Sequence, residues 1–258
     1  GRSICGNVKP LYDYMEGYNG NQMADELNMQ SKHSLERAAA HAADAFTTVS
    51  AVTGRECEQL LEAKPFITPN AFEQNFIPKA AEYDKAREAA RAKLLAVAAA
   101  LTGEKYDRST VLFATSGRSE FRNKGLDVAL DAINVARNEL RGSKRKAVLF
   151  IMVPGWVDTA RQDLQAGLGS KDTERLADTV ITHTLHDYAG DAILNKMNCL
   201  GISNDKADNV KVIYVPSYLN GTDGIFNMSY YDLLPGFDCT LFASYYEPWG
   251  YTPLESVA

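Results

Sequence analysis

Cysteine is scarce in this sequence, and its four cysteines show no spacing that would pair them. Cys5, Cys57, Cys199 and Cys239 are scattered, and no Cys-x-x-Cys occurs. This excludes the dense disulfide framework of small secreted domains and the cysteine-rich type of zinc site. Ordinary reduced thiols are expected, and they favour a cytoplasmic protein.

Excess positive charge and long apolar runs are also absent. The 27 Lys and Arg residues are outnumbered by 33 Asp and Glu, which gives a net charge of −6. This balance argues against nucleic acid or an anionic membrane as a partner. No apolar run approaches the roughly 20 residues that span a bilayer, and we expect no signal peptide. Lys and Arg side chains that bind an anionic ligand must therefore be grouped at the binding site, because the protein has no overall positive charge to attract it.

Common catalytic signatures are missing as well, since the Gly-x-Ser-x-Gly, Walker and Gly-x-Gly-x-x-Gly patterns do not occur. What is present is the composition of a globular protein, with 45% apolar residues. The length of 258 residues fits one large domain or two small ones.

Hydrophobic patterning predicts alternating helices and strands, which is typical of an α/β fold. A strand at 110–115, a helix at 126–141 and a strand at 147–153 form a βαβ unit, so the two strands should be parallel. An alanine-rich helix over 82–100 is interpreted as a solvated surface helix, with packing in an oligomer as the alternative. Residues 1–30 are expected to be loop with at most one short helix. Further helices are predicted at 34–45, with Ser34 as the N-cap, at 53–62 and at 230–234. Residues 156–176 and 182–197 are expected to be helical or irregular. Further strands are predicted at 45–49, 67–70, 210–215 and 238–243.

The segment 244–257 carries two carboxylates eight residues apart. Glu247 should lie where the strand at 238–243 ends, and Glu255 in the first turn of a helix that Pro253 begins. Gly250 allows a tight turn between them. Because the first backbone N–H groups of a helix are unsatisfied, this turn predicts an anion site. A carboxylate beside a phosphate cradle indicates chemistry on a phosphorylated sugar.

This segment resembles the Glu-x7-Glu motif of retaining glycosyltransferases of the two-Rossmann (GT-B) type. Its sequence, Ser-Tyr-Tyr-Glu-Pro-Trp-Gly-Tyr-Thr-Pro-x-Glu, is similar to that of the glycogen synthase family of animals and fungi. The stretches Gly-Arg-Ser-Glu-Phe-Arg-Asn-Lys-Gly from Gly117 and Glu-Arg-Ala-Ala-Ala-His from Glu36 resemble further family segments.

The resemblance implies an α/β GT-B fold, with Rossmann-like parallel sheets flanked by helices. Residues 1–70 would be the C-terminal part of the N-terminal Rossmann domain. Residues 71–258 would be the nucleotide-sugar-binding Rossmann domain, truncated at its C-terminal end. We expect a fragment of a longer enzyme, since the chain stops about one turn into the helix that includes Pro253.

The resemblance also assigns the donor diphosphate to Arg118 and Lys124, in the loop after the strand at 110–115, where open α/β sheets bind ligands. With Glu247 they form the predicted catalytic set. The alternative is a surface loop in which these cations are paired, with Glu120 as a partner. Arg2 would also reach the donor phosphate, unless it is a loosely held terminal side chain.

Further roles are implied for the residues around the motif. Glu247 would face the donor glucose and Glu255 would hold the ribose, whereas the alternative is that both acids cap the helix. Tyr230 would stack on uracil, with a core aromatic side chain as the alternative. Trp249 would shape the pocket. The adjacent Gly250, Tyr251 and Thr252 would bind the distal phosphate.

His183 and His186 lie near Asp187 and Asp191 at a spacing that could suit a metal ion. We expect no metal and no cofactor, since the transfer that the resemblance implies needs no metal ion. That transfer moves glucose, with retention, from UDP-glucose (or ADP-glucose) to the non-reducing end of an α-1,4-glucan, and the chain alone is expected to be inactive. Another GT-B transferase, of sucrose- or trehalose-phosphate type, and a non-catalytic assembly module stay as alternatives, and a homo-oligomer stays open.

Overall fold

The computed structural model describes residues 1–170 and 174–258, and the chain forms two compact units. The first unit comprises Gly1–Glu73 with Ser244–Tyr251, and the second comprises Gln74–Ala243 with Thr252–Ala258. Parallel strands flanked by helices occur in both units, so the α/β prediction is confirmed. The assignment of residues 1–70 and 71–258 to two Rossmann domains stays a prediction.

In the first unit, helices accompany a two-stranded parallel sheet, in which Thr47 pairs with Phe66. Its apolar core contains Ile4, Leu11 and Met23. The elements are α1 (Arg2–Gly6), α2 (Gly20–Glu26), α3 (Gln30–Ala42), β1 (Thr47–Thr48), α4 (Ala51–Leu61) and β2 (Phe66–Ile67).

Two predictions for the first unit were wrong. About half of residues 1–30 is helical, more than the one short helix that was predicted, and α2 begins where the Asn19 side chain accepts a hydrogen bond from the Gln22 N–H (3.0 Å). Ser34 does not cap α3, which starts four residues earlier. Its hydroxyl instead donates to the carbonyl of Ser31 within the helix (3.1 Å), a local bond that competes with capping.

The second unit is built on a four-stranded, wholly parallel sheet in the order β7-β4-β3-β8. Its two central strands and β7 are apolar because helices cover parallel sheets on both faces. The elements are α5 (Tyr83–Thr102), β3 (Val111–Ser116), α6 (Leu126–Glu139), β4 (Ala147–Met152), β5 (Val157–Ala160), α7 (Gln162–Gly167), β6 (His183–Leu185), α8 (Ala192–Cys199), β7 (Val210–Val215), α9 (Tyr230–Leu233), β8 (Cys239–Thr240) and α10 (Tyr251–Val257), whose first residue belongs to the first unit.

The interpretation of α5 as a solvated helix was wrong, because one of its faces is buried in the main core of the second unit. Leu94, Val97 and Leu101 are inaccessible to solvent. The approach is close: a Cβ on Gly236 would lie 2.9 Å from the Cβ of Ala90. The small alanine side chains allow this contact. Because alanine is only weakly hydrophobic, the sequence pattern of α5 did not indicate how much of the helix is buried.

Two strand predictions also failed. Residues 156–185 contain β5 and β6, which pair antiparallel, where helical or irregular chain was predicted. Their pairing partners lie about 25 residues apart, so hydrophobic periodicity cannot reveal them. β8 has two residues instead of six, and among the described residues it pairs with β3. Within residues 1–170 and 174–258, every helix is too short or too polar to cross a lipid bilayer.

Candidate functional site

The loop 117–125 leaves the sheet of the second unit at the carboxyl end of β3, and glycines fix both of its ends. Gly117 has a φ of 148° and Gly125 a φ of 62°, values that non-glycine residues rarely adopt. A Cβ on Gly125 would lie only 1.8 Å from the carbonyl oxygen of Ala243. The loops after β3 and β8 therefore meet at this edge, beside the point where the strand order reverses and open α/β sheets bind ligands.

Charged side chains of this loop form short-range pairs. The Arg118 Nε lies 3.2 Å from Glu120 Oε1, and Arg122 Nη1 lies 2.6 Å from Asp127 Oδ2. The Arg118 side chain is nevertheless 72% exposed, and its two Nη atoms have no hydrogen-bond partner among the described residues. The methylenes of Lys124 pass close to Gly117, where a Cβ would lie 3.3 Å from Cδ. The ion pair expected of a surface loop is present, yet it leaves the fork of Arg118 able to bind an anion.

Tyr230 joins the start of α9 to the end of β3. Its hydroxyl lies 3.0 Å from Ser116 Oγ, and its ring contacts Tyr231 edge-on at a centroid distance of 5.3 Å. Burial raises the pKa of Tyr230 to about 12, so the phenol is neutral at physiological pH. The Tyr230 ring packs against the main core, as the alternative of a core aromatic side chain expects, but its hydroxyl reaches the carboxyl end of β3.

Glu255 lies beside this pair of tyrosines. The Tyr231 hydroxyl donates to Glu255 Oε1 at 2.9 Å, and Tyr231 in turn stacks on Phe76 at 3.9 Å. Oε2 of Glu255 has no hydrogen-bond partner within the part of the chain that the structure describes. A cavity of about 570 Å³ borders both Tyr231 and Glu255, a volume in the range of small-molecule sites. Sequence reasoning missed Tyr231 and Ser116, because only tertiary contacts reveal their roles.

The predicted placement of the two carboxylates was wrong in detail. α10 begins at Tyr251, so Glu255 is its fifth residue and lies beyond the first turn, while Pro253 is its third. β8 ends at Thr240, and Glu247 follows seven residues later in chain without regular structure. Neither acid lies in the first turn of α10, which removes helix capping as the explanation for both. The first backbone N–H groups of the helix belong to Tyr251 and Thr252, as the anion-site prediction requires.

In the first unit, Glu247 and Trp249 lie half-buried in the segment 244–251. Ser244 Oγ donates to Glu247 Oε2 at 3.3 Å. The indole N–H of Trp249 is buried without a hydrogen-bond partner among the described residues, and its ring contacts Tyr251 edge-on. Gly250 is buried and has a φ of 75°. Because residues with a side chain rarely adopt such a positive φ, the turn favours glycine at this position. A buried indole N–H without a partner is a polar group that a ligand could satisfy.

Arg2 is the first residue of α1 rather than part of an irregular terminus. Its exposed side chain lines a cavity of about 560 Å³ within the first unit, together with His33, Glu56 and Tyr246. Glu56 is buried and hydrogen-bonded to Tyr246, which directly precedes Glu247. Nothing in the sequence pattern singled out Glu56, since a carboxylate on a helix is usually exposed.

The histidines considered as metal ligands have other contacts. His183 is buried, with Nδ1 2.8 Å from Thr182 Oγ1 and Nε2 2.9 Å from the carbonyl oxygen of Asp223. Burial lowers the pKa of His183, so it is neutral. The ring of His186 contacts the exposed Trp156 at 5.2 Å. Both ring nitrogens of His183 are therefore engaged in holding the chain around β6.

Comparison with known proteins gives one consistent family. A family model described as glycogen synthase matches residues 1–180 and 164–258. The glycogen [starch] synthase of Neurospora crassa is 26% identical over 313 aligned positions, which cover 99% of this chain and 44% of the relative. Isoform 1 of Saccharomyces cerevisiae is 28% identical over 321 positions, with 99% and 45% covered, and the human liver enzyme is 27% identical over 312 positions, with 99% and 44% covered.

The chain thus spans less than half the length of the curated relatives that it matches. The alignments are longer than the chain, so the relatives contain additional residues within the matched region. The two stretches that match the family model overlap at 164–180 and together cover every residue. This chain belongs to the glycogen synthase family.

Proposed function

We propose that this chain supplies the donor-binding part of a retaining glucosyltransferase. The reaction transfers glucose from UDP-glucose, or from ADP-glucose, to the non-reducing end of an α-1,4-glucan. One observation carries the proposal: Tyr231 holds Glu255 next to Tyr230 at the carboxyl end of β3. Membership of the family supports it, and the scattered free cysteines support a cytoplasmic setting.

The nucleotide is bound by the second unit. The Tyr230 ring offers a face for the base, and such stacking contributes about 1–3 kcal/mol. The free Oε2 of Glu255 accepts a hydrogen bond from a ribose hydroxyl, while Tyr231 fixes the carboxylate through Oε1. The planar fork of Arg118 and the ammonium of Lys124 neutralise the diphosphate, which becomes the leaving group when the glycosidic bond breaks.

Glu247 acts on the sugar. As the glucosyl–phosphate bond breaks, positive charge develops at the anomeric carbon, and a fixed carboxylate stabilises that charge. The buried indole N–H of Trp249 offers a hydrogen bond to the sugar or phosphate. The backbone N–H groups of Gly250 and Tyr251 and the Thr252 hydroxyl bind the distal phosphate. The roles of the two glutamates therefore differ, and this difference provides the test.

The test compares two isosteric variants in the complete enzyme. Glu247→Gln is expected to lower kcat about a hundredfold or more with little change in UDP affinity, because the lost charge acts in the transition state. Glu255→Gln is expected to weaken UDP binding roughly tenfold, or about 1.4 kcal/mol, because a charged hydrogen bond to the ribose is lost. Isothermal titration with UDP and steady-state rates measure both effects.

Glu139→Gln, on the exposed face of α6 in the second unit, is the matched control and should change neither quantity. The proposal fails if Glu247→Gln abolishes UDP binding while Glu255→Gln leaves it intact. Titration of the wild-type enzyme with UDP and with ADP decides between the two donors.

A further inference from the structure

Glu56 is a carboxylate buried in the first unit and bound by two phenols. It lies on α4 and is 6% exposed. Tyr12 donates its hydroxyl to Glu56 Oε1 at 2.6 Å, and Tyr246 donates to Oε2 at 3.1 Å. The amino nitrogen of Gly1 lies 3.4 Å from Oε2. Burying a carboxylate is costly unless its oxygens are paired, and each of the two phenols offsets part of that cost at a different oxygen of Glu56.

The two phenols connect Glu56 to different parts of the unit. Tyr12 lies between α1 and α2, whereas Tyr246 immediately precedes Glu247. The segment 241–250 contains no helix or strand, and the Tyr246 hydroxyl is one of the side-chain groups that tie it to a helix. Because consecutive Cα atoms are about 3.8 Å apart, any displacement of Tyr246 also moves Glu247.

α4 provides a firm support for this contact. Ser50 and Thr53 form a capping box at its start. The helix packs so closely on β2 that a Cβ on Gly54 would lie 2.8 Å from Ile67 Cδ1. Glu56 is therefore fixed by secondary structure, while the partner that it binds belongs to irregular chain.

We propose that Glu56 is a positioning residue, which holds Tyr246 against α4 and thereby orients the neighbouring Glu247 for glucosyl transfer. The inference rests on the function proposed for Glu247. Burial, together with the charge of Glu56, raises the pKa of Tyr246, so its phenol stays a hydrogen-bond donor throughout the physiological pH range. A displacement of about 1 Å in a reacting group can cost on the order of a hundredfold in rate.

Tyr246→Phe and Tyr12→Phe form a matched pair for the kinetic test, because each removes one hydroxyl from Glu56 and only the first breaks the link to Glu247. In the complete enzyme, Tyr246→Phe is expected to lower kcat about tenfold or more, with the KM for the donor within about twofold. Tyr12→Phe should leave kcat within about twofold of wild type. Equal losses of kcat in both variants would show a general loss of stability and overturn the proposal.

Hydrogen exchange of the 258-residue chain tests the anchor without any activity. Amides of residues 244–251 should exchange faster in Tyr246→Phe and Glu56→Gln than in wild type, and Tyr12→Phe should leave them unchanged. Unchanged exchange in Tyr246→Phe would overturn the anchor even if Glu56→Gln failed to fold. Faster exchange, together with a wild-type complete enzyme that transfers no glucose, would support the anchor and overturn the proposed function.

Discussion

Among single residues, Arg118 shows how a cation can be paired at one nitrogen and still keep its terminal nitrogens exposed. Glu120 engages its Nε at 3.2 Å, which orients the guanidinium without occupying the terminal nitrogens. An exposed ion pair of this kind contributes at most about 1 kcal/mol to stability. The pair therefore serves to direct the fork of Arg118 more than to stabilise the loop.

We expect Arg118→Ala and Lys124→Ala each to lower kcat/KM of the complete enzyme at least roughly tenfold, or about 1.4 kcal/mol, because charge stabilisation at the diphosphate is lost. Steady-state kinetics with the nucleotide-glucose donor measure this loss. Arg145→Ala, an exposed arginine in the loop before β4, is the control for a general change in net charge. Values of kcat/KM within twofold of wild type in both site variants would show that these residues do not stabilise the diphosphate and have a purely structural role.

The sequence proposes candidate residues for the site, and these stay predictions, whereas their contacts could not be predicted. The spacing of Glu247 and Glu255 is a local property, and it identified both. The hydrogen bond from Tyr231 to Glu255 spans 24 residues, and that from Tyr246 to Glu56 spans 190. Such pairs form only after the chain has folded, so no local pattern could have indicated Tyr231 or Glu56.

At the level of secondary-structure elements, Asp238 ties α5 to the edge of the sheet. Its carboxylate binds Arg87 Nη2 at 2.5 Å and Arg91 Nη1 at 2.9 Å, and it accepts the N–H of Leu112 in β3 at 2.8 Å. Burial raises the pKa of Asp238, but the hydrogen bonds from Leu112 and the arginines outweigh it, and the pKa is lowered overall.

A lowered pKa means that Asp238 stabilises the fold when it is ionised. The contribution is fully present above the ordinary value of 3.8 and is lost as the pH falls through the lower folded-state value. Asp238→Asn should therefore lower the free energy of unfolding by about 1.5–3 kcal/mol at pH 7. The difference from wild type should shrink below about pH 4.

Urea unfolding of the 258-residue chain at several pH values checks this expectation. Asp131→Asn, which breaks the more exposed pair with Lys196, is the control and should cost less than about 1 kcal/mol. A difference between Asp238→Asn and wild type that stays constant from pH 7 to pH 3 would contradict the assigned role.

The strands that could be predicted are the longer and mostly buried ones. β3, β4 and β7 were predicted within about one residue, because a parallel strand covered on both faces is largely apolar. β5 and β6 were missed, since they are short and partly exposed and, among the described residues, form a sheet of their own. α5 was identified as a helix, but its burial was not, because alanine carries little of the apolar signal that patterning detects.

For the whole molecule, the coverage of less than half of the relatives leads to a prediction about the isolated chain. We expect the purified 258-residue chain to bind UDP weakly and to form no glucan, because catalysis of this kind depends on groups positioned by the complete enzyme. Calorimetric titration with UDP and a radiolabelled-glucose incorporation assay measure the two properties. Robust glucosyl transfer by this chain alone would contradict the expectation.

The first unit is discontinuous along the chain, since Ser244–Tyr251 belongs to it while residues 74–243 do not. On a translating ribosome, where N-terminal domains usually fold first, this unit must wait until the second has been almost entirely synthesised. Until then, Glu56 lacks the phenol of Tyr246, so the hydrogen bond to its Oε2 cannot form. Slow or interrupted translation between residues 74 and 243 would therefore prolong the interval in which residues 1–73 lack this contact.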